Sequence, residues 1–377
     1  MTSTQSRESG LAAAARLASL LDEQGYITDL RVREAMARIE RHRYLPDRVW
    51  LDDDSADGGY APLDRACEPE RWWEAAYGNV PVVTQLDDGR DERLDPHWAT
   101  PTSSASLPST VAQMACAAAL EVGMETLEIG PATGINLSLI AELVGQEHVV
   151  GIEIDAGLAE RCRAALAATG YTNVTVVTGD GELGYTPRAK YHRIVSTASA
   201  MTIPYAWVAQ SHEGGRIICP FQTTLCSQGM VALTVRDGTA AGQFCLPLRF
   251  MLLRGQRARH RFDELFTDDA WEATRVHRID AAPALLSDWD ARFAAGLRLP
   301  GVHHGQRGEG QWLASENAWA YWDDRHVYQW GPQALFDAAR EAVESWEKAG
   351  KPEMTRYGLT VADSGQRFWL DEPDNLW

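Results

Sequence analysis

Residues 127–136 read LEIGPATGIN: an apolar strand-like run that enters a turn at Gly130, Ala132 and Gly134 before a helical pattern begins. Such a strand-to-helix turn lets backbone approach a ligand closely and aims helix N–H groups at it. Working outward, the alternation repeats. Downstream lie a strand at 148–153 (HVVGIE), a helix at 155–168, a strand at 173–178 (NVTVVT), the strand YHRIVST, a helix near 203–210 and the strand GGRIICPF. Upstream, 107–121 (LPSTVAQMACAAALE) has helical spacing. Strands alternating with helices of this length imply an α/β fold with a mostly parallel, doubly wound sheet covered on both faces. MVALTVR and GQFCLPLRF then follow with no helix between them, as an antiparallel edge requires.

Two carboxylates give the turn a ligand. Glu153 ends the strand after the turn, where an acidic side chain can accept hydrogen bonds from both hydroxyls of a ribose. Asp180, in TGDGELG, ends the next strand, again at the carboxyl edge where open α/β sheets bind ligands. Asp155 reads more simply as the N-cap of the helix that follows it. A nicotinamide dinucleotide would call for glycine at 132 and 135, and the chain has Ala132 and Ile135. A pyrophosphate is therefore disfavoured. S-adenosyl-L-methionine, which carries no phosphate and leaves as S-adenosyl-L-homocysteine, is the expected cofactor, and the fold becomes a Rossmann-like class I methyltransferase.

Composition bounds the partners. Lys plus Arg number 35 against 53 Asp plus Glu, a formal charge of −18 over 377 residues, which opposes phosphate backbones and anionic membranes. Neither nucleic acid nor membrane is expected as a partner. The six cysteines show no C-x-x-C spacing and several sit in apolar stretches, as free thiols in a reducing cytoplasm do. No apolar run reaches the length of a membrane span, so a soluble, cytoplasmic protein is expected.

Outside the core the pattern changes. Residues 10–22 and 30–41 have helical spacing, and 50–101 is acidic, punctuated by Gly and Pro, and read as long loops with short extended pieces. After about Leu253 the alternation stops. SENAWAYWDDRHVYQWG reads as a hairpin with a DD turn, PQALFDAAREAVESWEKAG as an amphipathic helix between Pro332 and Gly350, and TRYGLTVADSGQRFWLD as a second hairpin. Three parts are expected: residues 1–105 with N-terminal helices and the acidic loop region, the cofactor-binding core at 106–252, and a C-terminal α+β domain for substrate recognition at 253–377. Trp319, Tyr321, Trp322, Tyr328 and Trp330 in the first hairpin suit cross-strand packing first and a peptide-docking surface second. His303 and His304, in GVHHGQRGEG, lack an acidic or cysteine ligand at a diagnostic spacing; the segment reads as a polar loop and no metal is assigned.

Several ordered pieces together resemble the protein-L-isoaspartate O-methyltransferases over about residues 25–250: VREAMARIERHRYLPD, AAYGNVPVV, TSSASLPSTVAQM, LEIGPATGIN, ATGYTNVTVVTGDGELGY, YHRIVSTASAMTIP and EGGRIICPF. The resemblance implies S-adenosyl-L-methionine, with Glu153 on the ribose and Asp180–Gly181 near the adenine. The cofactor-contacting set is then Glu128, Gly130, Ala132, Gly134, Glu153, Ile154, Gly179, Asp180 and Gly181. By position, Ser104 and Ser106 correspond to the family's active-site Thr/Ser pair beside the substrate carboxylate; read without the resemblance, they form a cap for the helix after them. Departures from the family are Ala132 for a glycine, Tyr191–His192 for Phe-Asp, a longer segment between Trp50 and Pro101, and the residues after 252. That last segment, ending FWLD (Phe368 to Asp371), is similar to actinobacterial methyltransferases with an F-x-L-D motif that accompany gene clusters for lanthipeptides, lasso peptides and graspetides. The resemblance thus implies esterification of an aspartate in a cyclised ribosomal precursor peptide, leading to aspartimide or isoaspartate. Repair of isoaspartyl proteins is the alternative within the same chemistry, and a non-catalytic nucleoside-binding module that recruits a peptide is the alternative outside it.

Overall fold

The computed structural model describes residues 8–53, 59–90, 99–257, 262–279, 288–308 and 310–377. They gather into two compact units. The first takes the chain to Ala198 together with Pro204–Ile218 and Thr234–Gly238; the second takes Ser199–Ile203, Cys219–Leu233 and Thr239–Trp377.

In the first unit, α1 (Gly10–Glu23) is capped by the Ser9 hydroxyl, which accepts the Ala12 N–H, and buries Ala13, Ala14, Leu17, Ala18 and Leu21 at helical spacing. Helix α2 (Leu30–Met36) is capped by Asp29 and stops short of the expected residue 41; the chain turns there and buries Ile39 and Arg41. The segment expected as long loops with short extended pieces organises those pieces into an antiparallel sheet of β1 (Arg48–Asp52), β2 (Tyr60–Asp64), β3 (Val82–Leu86) and β4 (Pro101–Ala105), ordered β2-β1-β3-β4, with α3 (Pro69–Tyr77) between β2 and β3. Each strand is only five residues long, which hides its period of two; Pro62 within β2 is tolerated because β2 is an edge. Part of that acidic stretch, at 54–58 and 91–98, lies outside the described residues.

After α4 (Pro108–Ala118) the expected alternation runs through β5 (Thr126–Ile129), α5 (Ile135–Val144), β6 (Val149–Glu153), α6 (Ala156–Ala168), β7 (Thr175–Thr178), β8 (Tyr191–Ser196), α7 (Tyr205–Ala209) and β9 (Ser211–Pro220). The strands order as β7-β6-β5-β8-β9, all parallel. Every residue of β5 and β6 is buried, as strands covered on both faces must be. Gly151 lets α5 lie close on β6: a Cβ there would sit 2.8 Å from the Leu137 side chain.

Strands β9 and β10 (Met230–Arg236) contribute residues to both units. The second unit continues with β11 (Thr239–Leu246), α8 (Asp268–Glu272), β12 (Arg275–Arg278), α9 (Trp289–Arg298), β13 (His303–Arg307), β14 (Gly310–Ala314), β15 (Trp319–Trp322), β16 (His326–Trp330), α10 (Leu335–Lys348), β17 (Tyr357–Ala362) and β18 (Gly365–Leu370). Both expected hairpins form. The second extends the antiparallel run β10-β11-β17-β18 rather than closing a sheet beyond residue 253, because β11 offers an edge that β17 pairs. Phe244 meets Phe221 and Phe293 edge-on, while Phe368 of the F-x-L-D motif packs on Phe221. Asp371 of the same motif holds Arg356 through two contacts of 2.8 and 2.6 Å.

The other sheet, β12-β16-β15-β14-β13, carries the aromatic cluster. Trp319 is fully buried beneath Phe266 and Trp271, and Trp322 packs from the opposite face on Phe336 of α10. Trp312, Tyr321, Tyr328 and Trp330 stay half-exposed. His303 and His304 stand on strand β13 and not in a loop, since the chain pairs there with β14; burial lowers both imidazole pKa values. None of the six cysteines forms a disulfide, and Cys162, Cys219 and Cys226 are buried.

Candidate active site

The turn after β5 takes three left-handed residues, Gly130 at φ +77°, Ala132 at +47° and Gly134 at +88°. Glycine suits such angles and alanine is strained there, by about 1–2 kcal/mol. Ala132 is held in place nonetheless: its N–H donates to Glu153 Oε2 at 3.1 Å. Glu153 Oε1 accepts the Asp155 N–H at 3.0 Å, so one buried carboxylate at the end of β6 pins both the glycine turn and the entry to α6. Asp155 then caps α6, accepting the Gly157 and Leu158 N–H groups at 3.0 Å each.

Glu128 in β5 is wholly buried. Its Oε1 accepts from Asn136 Nδ2 and Thr197 Oγ1, both at 2.9 Å, whereas Oε2 has no partner among the described residues. Burial pushes the carboxyl up to about 7, and the neighbouring Glu153 adds to the shift against the two hydrogen bonds. Gly179 donates its N–H to the Glu153 carbonyl, and Asp180 caps a short turn by accepting the Glu182 N–H at 3.0 Å. A Cβ on Gly181 would sit 2.5 Å from Ile129, so only glycine permits that approach. Ile154 lies beside this group with 40% of its surface exposed, unusual for isoleucine. The carboxyl ends of β5, β6 and β7 thus bring together all nine residues expected around a cofactor.

Ser104 and Ser106 come from a different sheet. Along β4, Ser103 and Ala105 point inward and Ser104 is half-exposed between them, with half-exposed Ser106 following. Ser103 is engaged by Thr84 at 2.9 Å. Among the described residues no hydrogen bond takes up the Ser104 or Ser106 hydroxyl. The helix-cap reading fails: the N-cap of α4 is Leu107 without a side-chain bond, and the Ser109 N–H is accepted by Asn79 Oδ1 at 3.0 Å. Two residues before Ser104, Thr102 donates to Gln85 Oε1 at 2.9 Å, and Gln85 Nε2 reaches Asp155 Oδ2 at 3.4 Å. This polar chain ties β4 to the end of β6.

Asn79, Gln85, Thr102, Asn136 and Thr197 escape a reading of the sequence. Thr197 had a signal, since it directly follows β8 at the same carboxyl edge, and Asn136 meets Glu128 within the same turn segment; Asn79, Gln85 and Thr102 act through contacts more distant in the chain. His192, a departure from the family, begins β8 at the opposite edge, where its Nδ1 accepts the Glu125 N–H at 3.1 Å and its ring lies 4.4 Å from that of His212. It leaves the carboxyl edge untouched. Among the described residues no group of three or more His, Cys, Asp or Glu is gathered as a metal would need. None of their helices is long and apolar enough to cross a membrane.

A parallel sheet with a glycine turn after its central strand and carboxylates on the neighbouring strand ends defines a Rossmann-like class I methyltransferase. The chain belongs to the protein-L-isoaspartate(D-aspartate) O-methyltransferase family, which matches residues 70–258. It is a protein carboxyl O-methyltransferase of that S-adenosylmethionine-dependent family. It is 35% identical over 200 residues to a protein-L-isoaspartate O-methyltransferase of Ignicoccus hospitalis, covering 53% of this chain and 77% of the relative. With protein-L-isoaspartate O-methyltransferase 1 of Archaeoglobus fulgidus it shares 42% over 190 residues, 49% of this chain and 81% of the relative. A solved structure named protein-L-isoaspartate O-methyltransferase shares the fold with a TM-score of 0.56 at 20% identity, over 95% of this chain and 99% of its own. That likeness in fold reaches the residues after 252 as well.

Proposed function

We propose that this enzyme esterifies the side-chain carboxylate of an aspartate in a cyclised, ribosomally made peptide, using S-adenosyl-L-methionine. The observation that carries the methyl-transfer assignment is the pair of unengaged hydroxyls, Ser104 on β4 and Ser106 just after it, where β4 is tethered through Thr102 and Gln85 to the carboxyl edge of the parallel sheet. The residues at that edge fit the cofactor. The unpartnered Glu128 Oε2 is the acceptor that the methionine ammonium needs, Glu153 suits the ribose, and Ile154 beside Gly181 offers an apolar face for adenine. The bound sulfonium supplies the methyl group.

Ordinary physical chemistry assigns the rest to positioning. A carboxylate is ionised at neutral pH, its reference pKa being about 4, so no general base is required. The two serines donate hydrogen bonds to one carboxylate oxygen and leave the other free to be alkylated, which is catalysis by proximity and orientation. Neutral hydroxyls hold the carboxylate without the charge pairing that would blunt its nucleophilicity. In the ester, the next backbone amide nitrogen attacks the carbonyl, a C–N bond forms, the C–O bond breaks, and methanol leaves with the amide proton. The product is an aspartimide, and water opens it to isoaspartate or aspartate.

The half-exposed aromatic face of Trp312, Tyr321, Tyr328 and Trp330 supports a selective substrate, because a tailoring enzyme has to discriminate against the cell's ordinary aspartates. Repair of isoaspartyl proteins is the second reading, favoured by the names of the relatives above. Mass spectrometry on two substrates separates them. Methyl gain or later water loss on a cyclised precursor, with none on a linear isoaspartyl peptide, supports tailoring; the reverse establishes repair.

A further inference from the structure

Arg41 is 5% exposed and has no carboxylate partner among the described residues. Its Nε donates to the Ala76 carbonyl at 2.8 Å, and its buried Nη2 makes no hydrogen bond to any of them. Burial draws the guanidinium pKa down to about 10, which still leaves it charged at neutral pH. A buried cation without a counter-charge is strongly disfavoured, and a buried donor without an acceptor adds to the cost. Beside Arg41 lies a cavity of about 20 Å³, walled by Leu17 and Ala18 of α1, Met36 of α2, Val111 of α4, and Ile135 and Leu139 of α5. Arg41 is the one polar side chain that the described residues place in that wall.

The cavity's size and wall chemistry select an occupant. Room for a single water begins at roughly 10–15 Å³, so the space has room for one water or one monatomic ion. A water there would meet the Nη2 donor and leave the guanidinium charge uncompensated. A monovalent anion meets the open donor and also supplies the counter-charge that the buried guanidinium lacks. We infer that the cavity beside Arg41 binds one monovalent monatomic anion, chloride under ordinary salt conditions, which completes the packing of the N-terminal helices on α4 and α5. This site stands independently of the methyl-transfer chemistry.

The test is thermal unfolding of the full chain at fixed ionic strength, with sodium gluconate replaced stepwise by chloride or bromide. A saturable rise in Tm of about 2–4 °C is expected for the wild type, as linkage to a ligand of the folded state gives, and none for Arg41→Met. Equal midpoints in all salts, or the same rise in both proteins, would overturn the site. Should Arg41→Met fail to fold, bromide-soaked crystals of the wild type decide: an anomalous peak within hydrogen-bonding reach of Arg41 Nη2 supports the site, and a peak without anomalous signal, a water, refutes it.

Discussion

Asn79 caps a helix to which it does not belong: its side-chain oxygen accepts the N–H of Ser109, in the first turn of α4. The serines that precede α4 are thereby released from the capping role their position suggests. Replacing Asn79 with alanine should cost about 1 kcal/mol of stability, as loss of a cap usually does. Ser104→Ala and Ser106→Ala should each stay within about 0.5 kcal/mol of wild type and leave cofactor affinity unchanged, while slowing methyl transfer. Chemical denaturation together with a methyl-transfer assay checks both halves. If the double serine variant transfers methyl at the wild-type rate, the pair is not part of the site.

Ala132 and Glu153 depend on each other. Ala132→Gly should raise stability by up to about 1 kcal/mol, the left-handed strain relieved less glycine's extra backbone entropy. Ala132→Val should be destabilising, because a β-branched side chain tolerates a positive φ least. Glu153→Ala should weaken S-adenosyl-L-methionine binding by about tenfold or more, and should also destabilise the ligand-free protein because the Ala132 and Asp155 N–H groups lose their acceptor. Calorimetric titration giving wild-type affinity for Glu153→Ala would remove Glu153 from the cofactor site.

Glu128 makes stability depend on pH. Its carboxyl is raised to about 7 in the folded chain from an ordinary 4.5, so the folded state binds the extra proton. The contribution is fully present below pH 4.5 and is lost as pH rises through about 7. Glu128→Gln, neutral at every pH, should flatten that part of the profile in the absence of cofactor. Binding of S-adenosyl-L-methionine near pH 6 should release a proton from the wild type and not from the variant, which calorimetry in buffers of different ionisation enthalpy measures.

Deletion of the chain after Leu253 should not leave a soluble catalytic core. It would remove β17 from the edge of β11 and strip Phe293 and Phe368 from Phe244 and Phe221. Exposed aromatic surface and an unpaired strand edge lead to aggregation. Light scattering of the truncated protein checks this, and a soluble monomer that still binds cofactor would contradict it.

The sequence by itself determined the parallel core and the residues at its carboxyl edge. In the core, the strand-to-helix alternation is local, and Gly130, Gly134, Glu153 and Asp180 stand at strand ends that the alternation marks. Their chemistry follows from where a short stretch of chain turns. The N-terminal sheet was hidden because its strands are only five residues long and are defined by partners up to dozens of residues away. Only the tertiary structure decided that Asn79 caps α4, that Gln85 and Thr102 tether β4 to Asp155, that Arg41 turns inward, and that the last hairpin joins β11. Each is a hydrogen bond or a strand pairing between residues far apart in the chain. Local spacing carries no record of such a choice, because it is made by whichever buried group most needs a partner once the chain has closed.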